Sequence, residues 1–248
     1  MLTGASGGLG TATALELHRQ GARLVLTARR KELLEELAAR TDAEVVVADL
    51  ADRADVERLV GRSREDIDVL VLNAGTGADG DVTTLTPATI DQVIDVNLRS
   101  PIQMASAFAQ HKVATGEEAA VVLIGSLSGL VATPNTQMYN ATKFGLRGFA
   151  LAARQDLDGT RVGMTLVAPG FIRDAGMFHD NDVTLPRGVR TKSPQDVADG
   201  VVRAIRDNPA EVYVSPAELR LAATLGTLAP AISERVQRRL DTRQMSGG

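Results

Sequence analysis

Short apolar runs rich in β-branched residues alternate with longer amphipathic segments along most of the chain. The apolar runs predict strands at residues 22–28, 44–48, 69–73, 119–125, 161–167 and 211–215. The amphipathic segments predict helices, among them 11–20, 31–40 and 54–62. Strands that alternate with helices form βαβ units, so the pattern predicts an α/β fold with a doubly wound parallel sheet flanked by helices.

Two predicted strands differ from the others because they are apolar at every position. These are residues 69–72 (VLVL) and 121–124 (VVLI). A strand covered by helices on both faces has no solvent side on which to place polar residues. We therefore expect these two strands to lie in the middle of the sheet.

The C-terminal part of the chain has a composition of its own. No linker, repeat or low-complexity segment separates it, so we expect a single domain over 1–248 in which 216–248 forms a helical extension. Residues 216–232 are mainly Ala and Leu, whereas 234–243 are strongly charged. This pattern is typical of one or two helices packed against the domain edge. A peripheral membrane contact or a lid over an apolar substrate is the alternative interpretation.

Composition narrows the functional classes. The 248 residues carry 27 Lys plus Arg against 31 Asp plus Glu, with no long basic run, so we expect no nucleic-acid partner. The absence of cysteine rules out disulfides and thiolate chemistry, and three separated histidines make a metal site unexpected. No stretch approaches the roughly 18 apolar residues of a membrane span, and we expect a cytoplasmic protein.

A glycine-rich turn, TGASGGLG at residues 3–10, directly precedes the first predicted helix. Glycines let the backbone approach a pyrophosphate closely, and the helix start supplies N–H donors and a positive dipole end. Loops and helix caps also use glycine for conformational reasons alone. The position of the turn favours a nucleotide site, because the helix is followed by a strand as in a nucleotide-binding βαβ unit. The candidate binding residues are Gly4, Ser6, Gly8, Leu9 and Gly10.

Arg29 and Arg30 follow the next predicted strand, where NAD-dependent enzymes place an acidic residue that binds the ribose 2′-hydroxyl. Two cations would instead attract a 2′-phosphate, so we expect NADP(H) to be preferred over NAD(H). Alternatively, both arginines are solvated residues at the start of a Lys/Glu-rich helix. Asp49, beside Leu50 after the following strand, is expected either to bind the adenine amino group or to cap the next helix.

Tyr139 and Lys143 lie four residues apart, on one face of the predicted helix 138–157. A tyrosine with the reference pKa of about 10 is a poor base at neutral pH. A lysine charge roughly 4 Å away, at an effective dielectric of about 20, contributes about 4 kcal/mol and lowers that pKa by about three. Lys143 would thus make Tyr139 a useful acid or base. Pairs at this spacing are also common on ordinary helix faces.

Other polar residues follow the predicted central strands. Ser126 comes directly after strand 119–125, and Asn73, Ala74 and Gly75 mark the end of strand 69–73. Ligand sites of open α/β sheets form at the carboxyl ends of the strands. Asn97 lies further along, within a predicted helix. We expect these residues to meet at one edge of the sheet.

Taken together, these segments resemble the short-chain dehydrogenase/reductases, in order and in spacing, over nearly the whole chain. The resemblance rests on TGASGGLG at 3–10, Asp49, NAG at 73–75, Asn97, Ser126, YNATK at 139–143 and VAPG at 167–170. It implies a Rossmann-like sheet and a hydride transfer between NADP(H) and a small carbonyl compound or secondary alcohol. The cofactor-binding residues it implies are Gly4, Ser6, Gly8, Leu9, Gly10, Arg29, Arg30, Asp49, Leu50, Asn73, Ala74, Gly75, Tyr139, Lys143, Pro169, Gly170 and Ile172.

The resemblance also implies catalytic roles. Ser126 would hold the substrate oxygen by a hydrogen bond, while Tyr139 gives it a proton in reduction or removes one in oxidation. Lys143 would bind the nicotinamide ribose and adjust Tyr139, and Asn97 would anchor a water in the proton relay. A homo-oligomer is expected as well, with a dimer favoured.

Several positions depart from the family pattern. Only Met1 and Leu2 precede Thr3, which predicts a truncated first strand and unpaired inner edges on its two neighbours. Asp174 stands where the family offers a threonine to the nicotinamide carboxamide. The segment 174–192, with Met177, Phe178, His179 and Leu185, is expected to form a substrate-closing loop in which His179 is a surface residue. Substrate-pocket, capping and core roles are all open for Thr133, Asn135, Gln137 and Met138.

Two other functions are compatible with parts of the pattern. A nucleotide-binding regulatory or scaffolding protein would retain the fold without turnover, but such a protein has no physical need for Asn97, Ser126, Tyr139 and Lys143 together. Sugar epimerases and dehydratases of the wider superfamily use a larger C-terminal substrate domain, whereas about eighty residues follow Pro169 here.

Overall fold

The computed structural model describes residues 1–77, 80–174 and 190–239, without the side chains of 236–239. Within these ranges seven parallel strands form one sheet in the order β3-β2-β1-β4-β5-β6-β7. The strands are β1 (Leu2–Thr3), β2 (Val25–Ala28), β3 (Glu44–Val47), β4 (Val69–Leu72), β5 (Ala119–Ile124), β6 (Val162–Pro169) and β7 (Glu211–Val214).

Helices cover both faces of this sheet. They are α1 (Gly8–Arg19), α2 (Lys31–Thr41), α3 (Arg53–Ser63), α4 (Pro87–Ile94), α5 (Ser100–Thr115), α6 (Gln137–Asp156), α7 (Pro194–Asp207), α8 (Ala217–Leu228) and α9 (Pro230–Arg239). A π-helical turn, Asp95–Arg99, joins α4 to α5. The predicted doubly wound, Rossmann-like sheet flanked by helices is confirmed.

The strand order reverses between β1 and β4, because β2 and β3 lie on one side of β1 whereas β4 to β7 lie on the other. In open α/β sheets a crevice forms at such a reversal, outside the carboxyl ends of the strands. β4 is the middle strand and β5 is its neighbour, so the central position predicted from their all-apolar sequences is confirmed.

Both faces of these central strands are buried, which explains why their sequences are apolar at every position. Leu70 of β4 packs into one hydrophobic core with Met104 and Phe108 of α5. The next residue, Val71, packs into the opposite core with Leu34 of α2 and Val197 of α7. Since successive side chains of a strand point to opposite faces, a strand between two cores needs apolar residues at every position.

The first strand is short, as the sequence predicts, yet it reaches both neighbours. Leu2 pairs with Leu26 of β2 and with Val71 of β4. The Met1 carbonyl accepts a hydrogen bond of 2.9 Å from Val71 N, and Met1 N donates to Val69 O at 2.7 Å. The predicted gap between β2 and β4 is therefore bridged by Met1, Leu2 and Thr3.

The C-terminal segment forms the two helices α8 and α9, as one of the two interpretations predicts. Thr227 Oγ1 of α8 donates to Leu130 O at 2.5 Å, and a Cβ on Gly226 would lie 2.9 Å from Val131 Cγ2. In the part of the chain that the structure describes, no helix is long and apolar enough to cross a membrane. The membrane-surface and lid interpretations stay predictions. The outward face of these helices exposes Leu221, Leu225, Leu228 and Ile232.

Candidate active site at the sheet reversal

A cavity of about 320 Å³, hereafter the central cleft, opens at the carboxyl ends of the strands where the strand order reverses. Every cofactor-binding residue predicted from the sequence lines it, and Ser126 lines it too. Asn97 is the exception among the predicted catalytic residues, since it lies outside the lining. The fold therefore brings together motifs that are up to 168 positions apart, from Gly4 to Ile172.

The glycine turn before α1 leaves no room for side chains at two of its positions. Gly4 has a φ of +66°, and a Cβ there would lie 2.7 Å from Ala74 Cα. A Cβ on Gly10 would lie 2.2 Å from Gly4 O. The N-cap residue Gly7 has no side chain to cap the helix, and the first turn holds no acidic residue. This end of α1 therefore presents backbone N–H groups and a positive dipole end, which suit a pyrophosphate.

We expect Gly10→Ala to lower the free energy of unfolding by about 3 kcal/mol, because the added methyl group meets backbone rather than a mobile side chain. Thermal unfolding followed by circular dichroism would show a midpoint lower by about 10 °C. Gly7→Ala is the matched control in the same turn, since its Cβ would lie 3.6 Å from Gly4 O, an ordinary contact distance. Equal midpoints for the two variants would contradict this account of the turn.

Arg30 is bonded to the glycine turn. Its Nη2 donates to Ser6 O at 2.7 Å, and its Nε lies 3.4 Å from Ser6 Oγ. The side chain of the neighbouring Arg29 is 65% exposed, and its Nη1 lies 3.9 Å from Asp49 Oδ2. Both arginines are exposed at the start of α2, as the alternative interpretation predicts, and Arg30 is in addition bonded to Ser6. Both arginines line the central cleft.

Asp49 does not cap α3, although the sequence left that role open. The N-cap residue is Asp52, whose Oδ1 accepts a hydrogen bond of 2.8 Å from Ala54 N. Asp49 Oδ1 accepts from Ala51 N at 3.0 Å, within the loop that leads to the cap. The Asp49 side chain is 41% exposed and stays accessible from the central cleft.

Asn73 ties the glycine turn to the end of β4. Its Nδ2 donates to Thr3 O and to Gly4 O, both at 3.1 Å. In return, Thr3 Oγ1 accepts from the backbone N–H groups of Asn73 and Ala74 at 3.0 and 3.1 Å. Asn73 therefore holds two walls of the central cleft together as well as lining it.

Asn97 lies in the π-helical turn behind the central cleft and is 1% exposed. Its Oδ1 accepts from Thr76 N at 2.8 Å, and its Nδ2 donates to Thr76 O at 2.8 Å and to Thr142 Oγ1 at 3.3 Å. These bonds join the segment after β4 to α6. Both side-chain N–H groups are thus used within the protein, so a relay water at Asn97 would use its backbone or the second lone pair of Oδ1.

Tyr139 and Lys143 both lie on α6, as predicted, with the Lys143 Nζ 5.5 Å from the centroid of the Tyr139 ring. Lys143 is 4% exposed, and its Nζ donates to Ile124 O at 2.8 Å. Burial lowers the pKa of Lys143 to about 8 because it removes water from the charged form. A ligand whose oxygen atoms accept hydrogen bonds from the Lys143 ammonium group would stabilise its charged form at this buried position.

Ser126 follows β5 with an extended backbone and is partly buried. Its Oγ accepts a hydrogen bond of 3.1 Å from Ser128 N. A hydroxyl has one donor hydrogen and two lone pairs, so this contact leaves the Ser126 O–H able to donate to an oxygen in the central cleft. Tyr139 and Lys143 line the same cleft.

Some predicted pocket residues lie elsewhere. Asp174, with a φ of +64°, has an exposed side chain paired with Arg173 and does not line the central cleft. None of Thr133, Asn135, Gln137 and Met138 lines it either. The Thr133 hydroxyl instead pairs with that of Thr136 at 2.7 Å. Met177, Phe178, His179 and Leu185 lie outside the described residues.

The central cleft also contains residues that the sequence analysis did not single out. Most of them sit beside predicted residues at the strand ends, so extending each motif by one or two positions would have found them. Val96 directly precedes the predicted Asn97, whereas Gln92 comes from α4, where no local pattern indicates a site. The additional residues are Thr3, Gly7, Thr27, Ala28, Ala48, Thr76, Gln92, Val96, Ile124 and Gly125.

The chain has relatives along most of its length. A protein-family model described as short chain dehydrogenase matches residues 1–184. The chain is 29% identical to "Ketoacyl reductase HetN" of Nostoc sp., over 96% of this chain and 87% of that protein. It is 34% identical to "Nodulation protein G" of Rhizobium sp., over 73% of this chain and 76% of that protein.

Solved structures agree with these relatives. A short-chain dehydrogenase from Sphingobium yanoikuyae in complex with NADPH superposes with a TM-score of 0.80, at 27% identity, and 94% of each chain is covered. The sheet order, the glycine turn and the match of the family model to more than half of the residues all indicate the same family. The chain belongs to the short-chain dehydrogenase/reductase family.

Proposed function

We propose that this protein is an oxidoreductase that transfers a hydride between NADP(H) and the carbonyl carbon of a small ketone or aldehyde, or in reverse from a secondary alcohol. One observation carries the proposal: Ser126, Tyr139 and Lys143 line the same cleft as the glycine turn and Arg29. A binding protein needs the turn, but it has no use for an adjacent hydroxyl, phenol and buried amine. Family membership and the NADPH complex of a relative support the same reading.

The described residues fit a dinucleotide. The crowded glycine positions leave backbone N–H groups for the pyrophosphate. Arg29 and Arg30 line the same cleft and would pair with a 2′-phosphate. Asp49 would meet the adenine, while Lys143 would bind the nicotinamide ribose and Gly170 would line the nicotinamide end. When bound, the nicotinamide supplies or accepts the hydride.

The protein's own part in the chemistry is proton transfer and orientation. Ser126 would donate its O–H to the substrate oxygen, which aligns the carbonyl with Tyr139. The Tyr139 hydroxyl would then give its proton to that oxygen as negative charge develops there. Lys143, four residues further along α6, would favour the phenolate that remains. A water at Asn97 would return the proton from solvent.

The first test is a titration of the purified protein with NADPH and with NADH, followed by nucleotide fluorescence. A panel of aldehydes, ketones and β-keto esters is then offered with the cofactor that binds, and NADPH oxidation is followed by absorbance. We expect tighter binding of NADPH than of NADH and turnover of at least one carbonyl compound. Binding of NADPH without reduction of any compound on the panel would favour the regulatory or scaffolding function instead.

Arg29 offers the sharper test of cofactor preference, because Arg30 is bonded to the glycine turn and its replacement would also disturb that turn. We expect Arg29→Asp to raise the Kd for NADPH about 10- to 100-fold, since a charge-assisted hydrogen bond of about 1.5–3 kcal/mol is lost and a repulsion is added. The Kd for NADH should change little. Arg53→Asp, an equal charge change at the start of α3, is the control. An unchanged ratio of the two Kd values would rule out this role for Arg29.

A further inference from the structure

Asn140 is buried beneath the loop that connects β5 to α6, with 5% of its surface exposed. Its Nδ2 donates to Ser128 O at 2.9 Å and to Val131 O at 3.2 Å. Its Oδ1 accepts from Thr133 N at 3.1 Å and from Thr136 Oγ1 at 2.7 Å. Two N–H donors and two lone pairs are all that a side-chain amide has. Asn140 therefore uses its whole hydrogen-bonding capacity on this one loop.

These bonds lead directly to Ser126. The Ser128 carbonyl accepts from Asn140, while the Ser128 N–H donates to Ser126 Oγ at 3.1 Å. One residue thus connects the Asn140 amide to the Ser126 hydroxyl. The same turn presses closely on α6, because a Cβ on Gly129 would lie 2.8 Å from Lys143 O. The turn that carries the Ser126 hydroxyl is therefore fixed against the helix that carries Tyr139.

We propose that Asn140 is a positioning residue, which sets the direction of the Ser126 hydroxyl relative to Tyr139. This inference rests on the proposed function. Hydrogen bonds that lock a loop give a reacting hydroxyl one orientation, and a displacement of about 1 Å can cost about 100-fold in rate. Asn140 follows Tyr139 directly in the chain, so both ends of the Ser126 to Tyr139 distance are tied to the same turn of α6.

The loop has a second attachment, which allows Asn140 to be removed without releasing it. Thr227 of α8 donates to Leu130 O at 2.5 Å, from outside α6. Loss of the Asn140 amide would leave the carbonyls of Ser128 and Val131 without this partner, while Leu130 stays bound to α8. We therefore expect Asn140→Ala to fold with a loosened turn around Ser126.

The test is a double-mutant cycle. Turnover of ethyl acetoacetate, or of whichever compound on the carbonyl panel is reduced fastest, is measured with NADPH in the wild type, Asn140→Ala, Ser126→Ala and the double variant. We expect Asn140→Ala to lower kcat about 10- to 100-fold in the wild type and less than about threefold when Ser126 is already alanine. The Kd for NADPH should stay the same, because Asn140 does not line the central cleft.

Two further variants separate positioning from stability. Thr136→Val removes one bond to the Asn140 Oδ1 and leaves the carbonyl contacts intact, so its loss of kcat should be smaller and should vanish in the Ser126→Ala background. Thr165→Val is the matched control. Thr165 lies on β6, is 1% exposed and does not line the cleft, and its hydroxyl donates to Pro209 O at 2.6 Å. We expect it to lower the unfolding midpoint and to leave kcat unchanged.

The outcomes are distinct. An equal loss of kcat for Asn140→Ala in both backgrounds would mean that the amide acts only on overall stability, which overturns the inference. Full activity of Asn140→Ala beside a strongly impaired Ser126→Ala would also overturn it and would leave the proposed function standing. Full activity of Ser126→Ala, or no reduction of any compound by the wild type, would reject the proposed role of Ser126 and this inference with it.

Discussion

Replacing Tyr139 with phenylalanine is expected to lower kcat at least about a thousandfold and to leave the Kd for NADPH within about twofold. General acid–base catalysis contributes about 10²- to 10⁴-fold, and this variant removes the phenolic oxygen that carries the transferred proton in the proposed function. The ring itself remains, together with its position 5.5 Å from the Lys143 Nζ. Steady-state kinetics and a fluorescence titration with NADPH measure the two quantities separately.

The chain provides a matched control, because it contains two tyrosines. Tyr213 lies on β7, and its hydroxyl donates to Glu211 Oε2 at 2.9 Å, outside the cleft lining. Tyr213→Phe removes the same atom from the same residue type and should leave kcat unchanged. A Tyr139→Phe enzyme with a rate near that of Tyr213→Phe would eliminate Tyr139 as the proton donor.

The second large effect concerns stability. We expect Lys143→Met to abolish turnover and, without cofactor at pH 7, to raise the free energy of unfolding by about 1–2 kcal/mol. Burial lowers the pKa of Lys143 from an ordinary value of 10.5 to about 8. At about 1.36 kcal/mol for each pKa unit, the charged form costs the fold about 3 kcal/mol at pH 7. Part of the gain is lost again because Ile124 O loses the hydrogen bond from Lys143 Nζ.

The sign of the pH dependence distinguishes this cause from better packing. Between about pH 8 and 10.5 the unfolded chain holds the Lys143 proton more tightly than the folded chain does, so the Lys143 contribution to stability rises with pH in that window. The cost of about 3 kcal/mol at pH 7 falls to about 1.4 kcal/mol at pH 9.5. Urea unfolding of wild type and Lys143→Met at the two pH values should show the advantage of the variant shrinking.

Lys112 is the control for this prediction, since it is a second lysine with 1% exposure. Its ammonium is paired with the Glu117 carboxylate and lies 5.7 Å from the Phe108 ring centroid. Replacing Lys112 removes both the ion pair with the half-exposed Glu117 carboxylate and the contact between the ammonium and the Phe108 ring, which lowers stability. Lys112→Met should therefore lower stability while Lys143→Met raises it, and a loss of stability in both variants would reject the assigned cost of the Lys143 charge. A charge whose burial lowers the stability of the fold is retained mainly where function requires it.

The sheet, most element boundaries and the members of the site could be predicted from the sequence because each leaves a local pattern. Residues 69–72 and 121–124 are apolar throughout, and β4 and β5 are indeed central. Residues 3–10 carry glycine at the positions where a Cβ would strike backbone. The Tyr139 to Lys143 spacing follows directly from helical periodicity, and α6 spans both residues.

Other features have no local pattern because they depend on contacts between distant segments. The N-cap of α3 is Asp52 rather than Asp49, because the path of the loop before α3 determines which aspartate reaches the helix start. Arg30 bonds to Ser6, 24 positions away, and Gln92 enters the cleft lining from a helix with no motif. No local pattern singles out Asn140 within YNATK, and only the fold brings the loop after Ser126 within hydrogen-bonding distance of it.

The sequence by itself therefore determined the fold class, the glycine turn and most of the residues that line the central cleft, since periodicity and residue type act over a few neighbouring positions. Only the tertiary structure decided how those side chains are held and what their environment does to them. The pKa of Lys143 is lowered because α6, β5 and the surrounding cores exclude water from its Nζ. The hydroxyl of Ser126 has a direction because Asn140 fixes the turn beneath it. Exclusion of water and long-range hydrogen bonds arise only once the chain is folded, and no pattern along the sequence encodes them directly.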